Sequence, residues 1–96
     1  MRNVYLVAYD ISNDKRLRRV YKAMRGYGDH LQFSVFRCEL ADRERAEMAA
    51  ELSQLIDHDE DQVLVIDIGP ADGRAGLVFE AIGKPYVAPE RHAIIV

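Results

Sequence analysis

Asp10 is the residue whose chemistry the rest of the chain must account for. An apolar run opens at Val4, continues through Tyr5-Leu-Val-Ala-Tyr9, stops at this one carboxylate and gives way to Ile11-Ser12-Asn13-Asp14. A run rich in β-formers, short for a helix and bounded by polar residues, reads as a buried strand, so Asp10 falls at a strand's carboxyl end. An ionised carboxylate beside so much apolar surface loses solvation unless it meets a cation, a donor or a metal. Strand ends of α/β sheets are where ligands tend to lie, which suits a metal or phosphate site. The plainer alternative is that Asp10 accepts hydrogen bonds from backbone amides of the turn at Ser12 to Asp14. Asp67, near the end of the apolar run Gln62-Val-Leu-Val-Ile66-Asp67-Ile68, is a second candidate carboxylate.

One carboxylate supplies too few ligands for an all-protein metal site. Magnesium, however, keeps several waters and is commonly held by one or two carboxylates together with substrate phosphates. A two-fold axis near the end of the first strand would pair Asp10 with its copy from a second chain. Two carboxylates roughly 6 Å apart repel by about 3 kcal/mol at an effective dielectric of about 20, so they take up a shared proton or a cation. Other chemistries find less support. His30, His58 and His92 lack metal-ligand spacing, and no Gly-x-Ser-x-Gly elbow is present. Ser34, between Phe33 and Val35, reads as a packed hydroxyl inside a strand. Cys38 is the single cysteine, so no internal disulfide forms; a small buried hydrophobe in a reducing compartment is its expected role. The segment from Gly69 to Gly76 lacks the Gly-Lys-Ser/Thr ending of a phosphate-binding loop and reads as a connection.

The net charge of −3 is unevenly spread. Between Lys15 and Arg25 lie six of the thirteen Lys and Arg residues and no acid, while Glu39 to Asp61 holds nine of the sixteen acids. A clustered basic face attracts phosphates regardless of net charge, although such runs also serve simply as solvated helix faces. Arg16, Arg18, Arg19 and Lys22 are therefore expected to contact nucleic-acid phosphates without reading sequence. Tyr9, Phe33 and Phe36 would stack on bases if exposed, though aromatics in strands usually belong to the core.

The elements that position these residues follow from periodicity. Ser12 and Asn13 are good caps for a helix whose apolar stripe is Leu17, Val20, Tyr21, Met24 and Tyr27, ending at Gly26 to Gly28. His30 to Leu40 is rich in β-formers and forms either one bent strand or two joined at a bulge. Asp42 is expected to cap a second helix with Met48, Ala49, Leu52, Leu55 and Ile56 on its apolar face. Leu77 to Ile82 reads as a strand, Lys84 to Arg91 as an extended linker stiffened by Pro85 and Pro89, and His92 to Val96 as a terminal strand that needs a sheet edge, its own or a partner's. Ninety-six residues make one domain, 1–96, with 84–96 as a C-terminal extension. No signal peptide or membrane span is evident, so a cytoplasmic protein without membrane association is expected. Two strand-helix units and further strands give an α/β sandwich with both helices on one face of the sheet. Because Val4, Leu6 and Ala8 alternate with Tyr5, Val7 and Tyr9, the helix-free face is apolar too, and a two-fold dimer is the economical way to bury it.

The order Tyr9-Asp10-Ile11-Ser12, Asp14-Lys-Arg-Leu-Arg-Arg-Val20-Tyr-Lys, Gly28 and Leu31-Gln-Phe-Ser34-Val-Phe36, with a late Gly83-Lys-Pro85, resembles the Cas-two family of CRISPR-associated proteins over nearly the whole chain. The resemblance implies an α+β ferredoxin-like fold that dimerises through the open sheet face, an exchanged C-terminal strand and a role in acquiring new spacers. It also implies magnesium-dependent endonuclease activity on RNA or DNA, and bridging of two dimers of the Cas-one integrase. Carried over by position, Asp10 is the metal ligand and catalytic residue, and Tyr9, Arg16, Arg19, Ser34 and Phe36 lie near it, Ser34 and Phe36 as interface residues. The chain departs from the family's usual Arg and Glu at His30 and Arg37. Two functions use the same features: a metal-dependent phosphodiesterase, and a dimeric scaffold that holds DNA and the integrase. An RNA-binding ferredoxin-like module outside CRISPR is a third, although the Lys/Arg-Gly-Phe context of such modules is absent.

Overall fold

The computed structural model describes residues 1–73 and 80–86. Its elements are β1 (Arg2–Asp10), α1 (Asp14–Met24), β2 (Gly28–Gln32), β3 (Val35–Ala41), α2 (Asp42–Leu55) and β4 (Gln62–Pro70). The sheet order is β2-β3-β1-β4 and every neighbouring pair is antiparallel. This β-α-β-β-α-β arrangement is the ferredoxin-like fold expected from the sequence. Tyr5, Val7 and Tyr9 of β1 share one buried cluster with Phe36, Cys38 and Leu40 of β3, Val20 and Met24 of α1, and Met48 and Leu52 of α2, so both helices cover the same face.

Local chemistry sets the boundaries. Asn13 rather than Ser12 caps α1, its Oδ1 accepting from the N–H groups of Lys15 and Arg16, both at 3.0 Å. At α2 the expected cap, Asp42, lies inside the first turn and Ala41 occupies the cap position. The methyl of Ala41 cannot accept a hydrogen bond, so only half of a capping box forms: Oε1 of Glu44 accepts from the Ala41 N–H at 2.8 Å. Arg2 donates to the same oxygen at 2.7 Å. The Ala41 amide first, and Arg2 after it, hold the Glu44 carboxyl below its ordinary pKa.

The stretch left open between one strand and two is a hairpin, with Phe33 and Ser34 forming the turn between β2 and β3. Phe33 has φ of +29°, a conformation the sequence does not signal because neither Gly nor Asn stands there. The register shifts between His30, opposite Phe36, and Gln32, opposite Val35. Gly28 is required where β2 approaches β3, since a Cβ would collide with the Arg37 carbonyl oxygen and Cys38 Sγ. Of the strand expected over 77–82, the described residues Glu80, Ala81 and Ile82 are not in a strand; the remainder, and the terminal strand at 92–96, lie outside the described residues. The linker begins against β2, where the Tyr86 hydroxyl donates to the His30 carbonyl at 3.0 Å.

Candidate nucleic-acid and metal site

Asp10 ends the central strand β1, opposite Gln62 of β4, and its side chain is exposed. It belongs to the row of β1 that includes Leu6 and Ala8, on the face the helices leave open. Leu6 is opposite Ile66, and Ala8 is opposite both Leu64 and Val35. Leu64 and Ile66 are 49% and 45% exposed, so this face carries the apolar surface expected of a docking interface. Among the described residues, the Asp10 carboxylate has no hydrogen bond or ion pair.

The turn following Asp10 does not use that carboxylate. The Ser12 N–H donates to Asp61 Oδ1 at 2.9 Å, and the amides of Lys15 and Arg16 are taken by Asn13. Asp61 is the organising anion here. Its side chain has no solvent exposure, and it also accepts from Arg16 Nε at 2.7 Å, Arg16 Nη2 at 3.2 Å, Ser12 Oγ at 3.2 Å and the Asp57 N–H at 2.8 Å. The Arg16 guanidinium, reinforced by the Asp57 and Ser12 donors, holds the Asp61 carboxyl well below the usual carboxylate range. Asp61 in turn raises the pKa of Arg16. Arg16, expected at a phosphate, is therefore committed to bracing the start of α1 against the loop before β4. No local pattern signals this pair, because its members stand 45 residues apart.

The other basic residues differ from Arg16. Lys15, Arg18, Arg19 and Lys22 are exposed on α1 and form no ion pair among the described residues. They are a stripe of uncommitted charge on an 11-residue helix.

Two aromatic assignments are corrected by burial. Tyr9, expected to bind nucleic acid, is in the core, its ring stacked on that of Phe36 at 6.2 Å between centroids. Burial raises the pKa of its hydroxyl, with Tyr21 adding to the effect, which keeps it neutral at physiological pH. Phe36, expected at an interface, is fully buried beneath the helices. Both side chains point to the covered face because they alternate with Asp10 and Val35 on the pleat. Ser34 is a turn residue, not a strand hydroxyl, and its carbonyl accepts from the Tyr9 N–H at 3.0 Å, tying the hairpin tip to the end of β1. His30 has a structural place: its ring packs against Phe36 and Tyr21, with centroids 5.0 and 5.1 Å away. Asp67 is removed from the site, since it pairs with Tyr5, five residues or about 17 Å back along β1. There it accepts from Asn3 Nδ2 and the Gly69 N–H.

No group of three or more His, Cys, Asp or Glu able to hold a metal exists among the described residues. The donor set at Asp10, hard carboxylate oxygens facing solvent, fits magnesium with retained waters and does not fit a site closed by one chain. Among the described residues no helix is long and apolar enough to cross a membrane.

A four-stranded antiparallel sheet with helices on one face, an open apolar face and an unengaged carboxylate at the exit of its central strand defines a ferredoxin-like α+β protein. The family model for CRISPR associated protein Cas2 matches residues 3–74. The chain belongs to that family. It is 46% identical over 94 residues to the CRISPR-associated endoribonuclease Cas2 1 of Rhodospirillum rubrum, covering 98% of this chain and 91% of the relative. It is 42% identical over 96 residues to the CRISPR-associated endoribonuclease Cas2 of Geobacter sulfurreducens, covering all of both. Among solved structures, Streptococcus pyogenes Cas2 superposes with a TM-score of 0.70 at 32% identity, over 83% of this chain and 99% of that one. A hypothetical protein from Thermus thermophilus superposes with a TM-score of 0.74 at 29% identity, over 94% and 98% respectively. Membership of this family sets aside the RNA-binding module unrelated to CRISPR.

Proposed function

We propose that this chain serves CRISPR spacer acquisition as a homodimer that binds nucleic acid and bridges the Cas-one integrase. The two Asp10 carboxylates would hold a magnesium ion, which would supply the same interface with a weaker endonuclease activity on RNA or DNA. The observation that carries the reading is the unengaged Asp10: it has no hydrogen bond or ion pair among the described residues, and the Ser12 amide of the turn that follows it is bonded to Asp61 instead. The open apolar face beside it supports a two-fold partner that brings in the second carboxylate. Exposed Lys15, Arg18, Arg19 and Lys22 hold phosphates without reading bases. The names of the relatives, endoribonucleases, support the nuclease component. One carboxylate per chain is a thin catalytic apparatus, and this favours scaffolding as the principal role.

When bound, magnesium supplies charge neutralisation on a phosphate and a more acidic water. The Asp10 pair fixes where that charge sits, and the Arg16–Asp61 brace fixes the loop that follows. Asp10→Asn keeps the shape and removes the charge. It should leave the dimer and most nucleic-acid affinity intact, abolish magnesium-dependent cleavage of a single-stranded RNA, and still support integration when mixed with the integrase. Cleavage that survives in Asp10→Asn would remove the metal role. Loss of both cleavage and integration, with an intact dimer, would make catalysis the principal function.

A further inference from the structure

Phe33 stands where the fold gains nothing from it. Its side chain is 93% exposed and its φ is +29°, a turn position that Gly or Asn occupies with less strain. The conformation is nevertheless held: His30 Nε2 donates to the Phe33 carbonyl at 2.7 Å, and the His30 ring is wedged between Tyr21 and Phe36. The neighbouring Ser34 carbonyl is bonded to the Tyr9 N–H. That bond continues the β1–β3 register, which runs from Arg2 opposite Ala41 to Ala8 opposite Val35. The same bond ties the hairpin tip, which carries Phe33, to the end of β1 that carries Asp10. An exposed aromatic on a braced turn thus stands at the same end of the sheet as the unengaged carboxylate, with polar Gln32 and Ser34 on either side of it in sequence.

We infer that Phe33 is a stacking platform for an unpaired nucleobase of the strand whose phosphate lies at Asp10. This rests on the nucleic-acid binding proposed above and deepens it: the bound strand is single-stranded, or opened, at this point. Backbone strain at an exposed aromatic is the pattern of a functional turn, and every base has a face that such a ring can take. A second copy of the chain is the competing occupant. The polar residues flanking Phe33 favour the base, because an aromatic that docks on protein usually lies within a continuous apolar patch.

The test uses a fluorescein-labelled 12-nucleotide single-stranded RNA and the same oligomer with abasic sites, bound by the full chain and by Phe33→Ala, Phe33→Gly and Phe33→Tyr. The Ala and Gly variants should bind the base-containing RNA about ten- to a hundredfold more weakly. They should match the parent on the abasic oligomer, keep its salt slope and melt no lower than it does. Phe33→Tyr should bind as the parent does. Equal affinity of parent and Phe33→Ala for the base-containing RNA would overturn the inference while leaving nucleic-acid binding intact. A parent that binds neither oligomer would overturn the functional reading and this inference together. Weaker dimerisation of Phe33→Ala in sedimentation, with RNA affinity per dimer unchanged, would assign Phe33 to the partner copy instead.

Discussion

The two faces of the sheet are built from the same strands and end differently. On the covered face, Tyr9, Val7, Phe36 and Cys38 meet two helices and are closed to solvent. On the open face, Leu64 and Ile66 remain about half exposed, and Asp10 has no partner among the described residues. Consecutive residues of β1 therefore have opposite fates: Tyr9 is packed, Asp10 is available. A motif of adjacent Tyr and Asp at a strand end thus divides into a packing residue and a chemical one, and the pleat decides which is which. The same division runs through α1, where Arg16 is consumed by Asp61 and Arg18 and Arg19 are not.

The sharpest way to break the comparison is to open the covered face. Phe36→Ala removes a fully buried ring from the centre of the cluster and should cost about 3–5 kcal/mol, a large share of the roughly 5–15 kcal/mol available to a small domain. Urea unfolding gives the loss. Cys38 reports it independently, because burial pushes its thiol pKa up to about 12 and should keep it unreactive to a thiol reagent at neutral pH in the parent. Labelling of Cys38 should accelerate in Phe36→Ala. A fall in stability below about 1 kcal/mol would mean that this face is not the core.

On the open face the expectation is reversed. Leu64→Asp with Ile66→Asp should change the stability of the isolated protomer by less than about 1 kcal/mol, since both positions are half exposed, yet should prevent dimerisation. Sedimentation at concentrations where the parent is dimeric checks this. A double variant that stays dimeric would place the interface elsewhere.

The covered face was legible from the sequence because its signals are local. Period-two alternation set β1, spacings of three and four set α1, and both helices fell on one side as expected. The hairpin was not legible: its turn is Phe33-Ser34, without the glycine or asparagine that usually marks a left-handed position. At the site, Asp10 and the exposed arginines could be named from composition and position. Asp61 could not, since an acid in a run of acids shows nothing until Arg16 and Ser12 are brought to it from 45 and 49 residues away. The burial of Tyr9 and Phe36 is not legible in the family motif, which records which residues recur together and not which face each occupies.

Asp61 offers the smallest and most selective test, because it separates a carboxylate used by the fold from one left over. Asp61→Asn keeps the volume and removes the charge that Arg16 faces, so Tm should fall at pH 7, by less than in Phe36→Ala. In the Leu64→Asp, Ile66→Asp background, where no second Asp10 approaches, Asp10→Asn should leave Tm unchanged. The pH dependence carries the proof. In the folded chain the Asp61 carboxyl is held below its ordinary value of 3.8, so the stability it contributes is fully present above that pH and is lost as pH falls through the lower folded value. The gap in Tm between the parent and Asp61→Asn should be constant from pH 7 to about 5 and close progressively below about 4. A gap for Asp61→Asn that persists undiminished in acid would show that the asparagine disturbs packing. In that case the charge of Asp61 is not what braces α1, and Arg16 returns to the set of arginines free to meet a phosphate.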